Sequence, residues 1–178
     1  MTYKVTSEWV ALKRQHAFPS IDFLHPRTFS VDWQNCILVR SLADECEAQS
    51  ETLEFEYIGG AFRKDAPGIA SGERLSTVPS RSLLSLLAAP LPVLFDRQTA
   101  IIHSGTLPWR GANAVYFRTI AVPFGNSGGD LTYALVAFSH KMKKETLPEE
   151  RQRTEFLEYR DGEWSPLADA PEPLRAAG

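Results

Sequence analysis

The chain has 178 residues with 19 basic and 22 acidic side chains, a formal net charge of −3, which is the size of one domain with extensions rather than two full domains. An apolar share of 43% with 11% aromatics suffices for a core without disulfide or metal staples and is too rich for a disordered chain. The dispersed, mild acidity argues against nucleic acid as a partner; no apolar run approaches the roughly 18 residues of a membrane span, and the N-terminus lacks a secretory apolar stretch, so a cytoplasmic location is expected.

Residues 7–16 read as a helix, with Ser7 as N-cap and Trp9, Leu12 and His16 at helical spacing. Pro19 ends it, and Pro19 and Pro26 bracket a connector with room for one helical turn. Residues 36–42 form a β-branched-rich strand, followed by a polar connection at Asp44 and Glu45. Residues 52–58 alternate strictly, which places Leu53, Phe55 and Tyr57 on one face and Glu54 and Glu56, as a solvated pair, on the other. Gly59 and Gly60 stop this strand, and the two strands pair as an antiparallel hairpin.

Residues 63–77 are loop with short helical turns. Pro79 opens a helix whose Leu83, Leu84, Leu86 and Leu87 give a broad apolar face, and Pro90 and Pro92 end it near Ala88. Residues 93–103 are expected to be extended in two pieces and closed by Ser104 and Gly105. The clearest hairpin joins residues 114–122, ended by Pro123, to residues 131–138 through the Gly/Asn loop 125–130. The basic run 141–144 reads as a solvated exit from the sheet. Residues 148–159 suit a helix, while Asp161 and Gly162 between residues 156–159 and Trp164 suit a small hairpin equally well. Residues 168–178 are Pro/Ala-rich and expected to be disordered.

Chemistry-bearing residues are sparse. Cys36 and Cys46 form no C-x-x-C pair, and the four histidines offer no zinc spacing, so no metal site is expected. The loop around Ser127 resembles the nucleophile loop of chymotrypsin-like serine proteases. A small serine hydrolase using Ser127 is therefore the alternative reading, although His25 and His103 are poorly placed in sequence to serve as its base. Arg81 and Arg118 are candidates to meet an anionic ligand. The last two strands carry apolar residues on both faces, so both faces need a cover: helical chain on one, and the Trp9/Leu12 helix, a second subunit or a partner protein on the other.

The order helix, two strands, helical insert, three strands resembles that of PAS sensory domains, and most closely an alphaproteobacterial branch of stand-alone PAS-like proteins. The resemblance rests on Trp9 with Leu12, on the connector Pro19, Ser20, Ile21, Asp22 and Pro26, on the strand at 55–59, and on the aromatic-led strand with its apolar-Pro-apolar close at 117–124. It covers residues 9–138. It implies an α+β fold: a five-stranded antiparallel sheet with a helical crossover and an N-terminal helix packed on it. The division expected is residues 1–28 as helix and connector, 29–144 as the PAS-like domain and 145–178 as a partly disordered extension. The function implied is that of a signalling sensor or adaptor without catalytic output. It would bind a small molecule, a protein partner such as a signalling kinase or regulator, or a second copy of itself. Tyr57, Phe95, His103, Tyr116 and Arg118 are the candidates to line a ligand pocket, and Trp9 and Leu12 the cover or partner surface. No cofactor is named by these residues.

Overall fold

The computed structural model describes residues 2–13, 16–25, 29–42, 51–63, 65–80, 82–109 and 113–168. Asp44, Glu45, Cys46, Pro26, Arg81 and the tail 169–178 lie outside them. The elements in chain order are α1 (Thr2–Lys13), β1 (Cys36–Ser41), β2 (Leu53–Ile58), α2 (Leu83–Ala88), α3 (Leu91–Arg97), β3 (Ile101–Trp109), β4 (Asn113–Gly125), β5 (Leu131–Lys143), β6 (Arg153–Arg160) and β7 (Glu163–Pro166). Among the described residues no helix is long and apolar enough to cross a membrane.

The strands form one seven-stranded antiparallel sheet in the order β2-β1-β5-β4-β3-β6-β7. This corrects the expected five-stranded PAS-like α+β fold: the molecule is mostly β, with short helices. The two additional strands come from the segment taken for an extension. Pairing along β3 draws β6 in because Gly105 leaves room for it; a Cβ there would lie 2.3 Å from the Arg153 carbonyl oxygen. Gly105 is thus an internal strand glycine that admits a neighbouring backbone. Asp161 and Gly162, both at positive φ (51° and 91°), turn β6 back into β7, as a two-residue hairpin loop requires.

Other expectations shift for local reasons. Ser7 is not a cap: its hydroxyl donates to the Tyr3 carbonyl at 2.7 Å, inside a helix that begins at Thr2. Pro90 and Pro92 do not lead into a strand. They open α3, where the first-turn amides have no intrahelical acceptor and proline costs nothing. Gln98, at φ 53°, ends that helix. Between Leu38 and Val39 the β1–β2 register slips, so that Leu38 faces Tyr57 and Val39 faces Phe55. One extra residue in β2 reverses the facing that follows it. Leu53 and Phe55 are buried on one side, whereas Tyr57 swings to the other and meets Trp33 edge-on at 5.7 Å.

The sheet buries both faces over much of its area. On the inner face α2 and α3 lay Leu84, Leu87, Leu91, Leu94 and Phe95 onto Ile37, Val39, Phe55, Ala121, Val136 and Phe138. Ser82 caps α2 through a reciprocal box with Ser85. On the outer face Val5 and Trp9 of α1 and Phe29 of the connector cover Ile120, Val122, Phe124, Leu135 and Ala137. The Trp9 indole N–H donates to the Pro123 carbonyl at 2.8 Å, and the Gly125 amide donates to the Pro19 carbonyl at 2.9 Å. The edge of β2 is partly occupied as well: Phe55 donates its amide to Glu73 and its carbonyl accepts from Gly72.

Candidate functional site

The outer face of β3, β4, β5 and β6 divides in two. Toward the hairpin tip it is apolar and covered by α1. Toward the other end the same alternating positions turn polar, and no described element covers them. Register fixes which side chains meet there. One row across the sheet reads Glu155, Ser104, Arg118, Ser139, and the next reads Arg153, Thr106, Tyr116, Lys141. Lys143, opposite Ala114, begins a third. Together the first two rows line an open groove of about 440 Å³. A smaller hollow of about 240 Å³ continues it past Tyr116 toward Glu150 and Arg151.

Charge in this region is unevenly neutralised. Glu155 accepts a hydrogen bond from the Ser104 hydroxyl at 2.9 Å. Tyr116 donates to Glu145 and accepts from Arg151 at 2.8 Å, and Arg151 also lies 3.9 Å from the Glu145 carboxylate. The hydrogen bond to Glu145 holds the Tyr116 phenol above its ordinary pKa. Lys143 rests over the Tyr116 ring at 4.7 Å. Arg118, Lys141 and Arg153 make no ion pair with any described residue, and all three are exposed. In a chain of net charge −3, this is a local concentration of unpaired positive charge.

The residues proposed from sequence separate onto both faces. Tyr116 and Arg118 come together in the groove. His103, on the same strand system, faces the opposite side and is buried, stacked on Phe156 with ring centroids 4.2 Å apart and set edge-on to Phe117 at 4.8 Å. Burial pushes its imidazole down to about 4 against the pull of a hydrogen bond to the Leu86 backbone, and Nδ1 has no partner. Phe95 is buried on α3, facing the inner core. Tyr57 stands at the far edge strand, its hydroxyl donating to the Trp33 carbonyl at 2.9 Å. There it borders a separate hollow of about 500 Å³ formed with Ile58, Arg63, Ala66 and Ile69. Trp9 is buried and Leu12 half-buried, both within the cover of the outer face. Arg40 lies between Glu54 and Glu56, at 3.1 Å and 2.9 Å, so one guanidinium bridges both carboxylates.

Ser127 lies at the exposed tip of the β4–β5 hairpin, and its hydroxyl makes no hydrogen bond to a described residue. Asn126 Oδ1 accepts from the amides of Gly128 (2.8 Å) and Asp130 (3.1 Å), which is the bonding of a turn. Cys36 is buried and donates to the Asp32 carbonyl, and burial pushes its thiol up to about 12. Among the described residues no group of three His, Cys, Asp or Glu side chains could hold a metal ion.

Lys141 and Arg153, with Ser104, Thr106, Ser139 and Glu155, are groove residues that sequence reasoning missed, as is Lys143 just beyond them. The signal was present: Ser139, Lys141 and Lys143 continue the two-residue alternation of β5 beyond Phe138, with polar residues taking over the outer positions. No protein-family model matches the chain, and no curated protein matches it in sequence.

Proposed function

We propose that this chain is a cytoplasmic signalling adaptor or sensor domain that acts by association, and that the open half of its outer sheet face is where it associates. One observation carries the reading. A sheet face that is otherwise buried is left uncovered over the groove, and there Arg118, Lys141 and Arg153 outnumber the one lining carboxylate, Glu155, and none of them is ion-paired with a described residue. Side chains of a solvated face are usually balanced by neighbours of opposite sign; an unbalanced cationic patch favours an anionic ligand or partner and speeds its encounter. The signalling part of the reading rests on the motif resemblance of residues 9–138.

The test is site-specific cross-linking. A photoreactive residue placed at Ser139 in the full chain, in its own cytosol, should give a discrete adduct. That adduct should disappear when Arg118 and Lys141 are both changed to Glu. Adducts that persist unchanged in the charge-reversed protein would refute the proposal, and so would an adduct pattern matching that of a probe placed at Ala70, remote from the groove.

A further inference from the structure

Resting on that reading, we infer that the occupant of the groove is an extended acidic segment of a partner protein, with carboxylates at every second residue. The argument is one of spacing. Across β4 and β5 three successive outer-face rows each carry one cation: Arg118 on β4 opposite Ser139, then Lys141 on β5 opposite Tyr116 and Lys143 on β5 opposite Ala114. Rows on one face of a strand repeat every two residues, about 6.6–6.8 Å. An extended peptide lying along β5 repeats its own side chains at the same interval. Acidic groups at positions i, i+2 and i+4 therefore meet Arg118, Lys141 and Lys143 in turn, whereas adjacent acidic groups point to opposite sides and only half can engage.

Two further features favour a peptide over a small anion. The groove is a shallow trough on a pleated surface whose cations are exposed, so it cannot enclose the 70–90% of a ligand's surface that small-molecule sites bury. The cations are also spread over three rows and three strands instead of converging on one point, as a phosphate clamp would demand. The hydroxyls of Ser104, Thr106 and Ser139 between them suit neutral backbone groups of the same segment.

The experiment uses the full chain and two fluorescein-labelled peptides of one composition, a Glu-Ser-Glu-Ser-Glu core and a Glu-Glu-Glu-Ser-Ser core, titrated by fluorescence anisotropy at about 50 mM salt. The alternating peptide should bind roughly fivefold or more tightly than the block peptide, with affinity falling as salt rises. Lys141→Glu and Lys143→Glu should each weaken it about tenfold, with Lys143→Gln intermediate. Arg63→Glu, the same charge change beside the other hollow, should leave binding unaltered. Equal binding of the two peptides, or none, overturns the inference. Full displacement by inorganic pyrophosphate with no effect of Lys143→Glu overturns it in favour of a small dianion. If the peptides fail while the Ser139 cross-link remains charge-dependent, the acidic-segment inference falls and the docking face stands; if the cross-link is also lost, both fall.

Discussion

The two ends of the outer sheet face share their strands and differ in almost everything else. At the hairpin-tip end Ile120, Val122, Leu135 and Ala137 are sealed beneath Trp9 and Phe29. Two residues further along the same strands, Arg118 and Ser139 stand open to solvent. The backbone ladder runs through both without interruption; only the residues at alternate positions change. One end is closed by the chain's own residues and the other is the face proposed for association, so damage to the first should appear in stability and damage to the second in binding.

The largest effect is expected at the covered end. Trp9→Ala removes a fully buried ring and its hydrogen bond to Pro123, and should lower the unfolding free energy by about 3–5 kcal/mol in denaturant titration. Trp9→Phe keeps most of the packing and should cost less. An unaltered midpoint for Trp9→Ala would mean that α1 does not hold the face.

On the inner face His103 supplies a pH-dependent contribution. Its folded pKa, about 4, lies below the unfolded value near 6.5, so the unfolded chain takes up the proton first. The contribution is complete above pH ~6.5, diminishes as the pH falls toward 4, and amounts to about 3 kcal/mol across that window. His103→Leu should flatten this part of the stability profile, as read by thermal unfolding in a buffer series.

Between the two ends in magnitude is Gly105→Ala. The added carbon meets the Arg153 carbonyl, and relieving that overlap should cost about 2 kcal/mol and loosen β6, visible as faster amide exchange in residues 153–160. The smallest effect is expected in the groove. Arg118→Ala with Lys141→Ala should change stability by no more than about 0.5 kcal/mol, because neither side chain has an ion-pair partner among the described residues. A larger loss would show these cations to be part of the fold.

Regular alternation made much of the sheet legible in the sequence. Residues 36–42, 52–58 and 131–138 each announce a strand by β-branched content or period-two burial. What stayed hidden has physical causes. Two prolines one residue apart, Pro90 and Pro92, suggest a helix end, yet both are tolerated at a helix start, and that ambiguity concealed α3. A bulge moves Tyr57 to the opposite face with no mark in the residue pattern. β6 and β7 are charged strands whose pairing depends on a glycine fifty residues away in the chain. Of the groove, Tyr116 and Arg118 could be singled out because they lie within the first strand of the central hairpin; Lys141 and Lys143 could not, because the apolar alternation that marks β5 in the sequence ends at Phe138.

The thirteen-residue length of β4 and β5 has a bearing on kinetics. Because the trough is carved into continuous ladder backbone and not into a loop, its geometry exists before any visitor arrives. On the proposed reading the visitor alone would surrender chain entropy, while the host would need only to settle a few long side chains. Encounters should accordingly be fast, short-lived and sensitive to ionic strength, the behaviour of a contact that is made and released repeatedly rather than held.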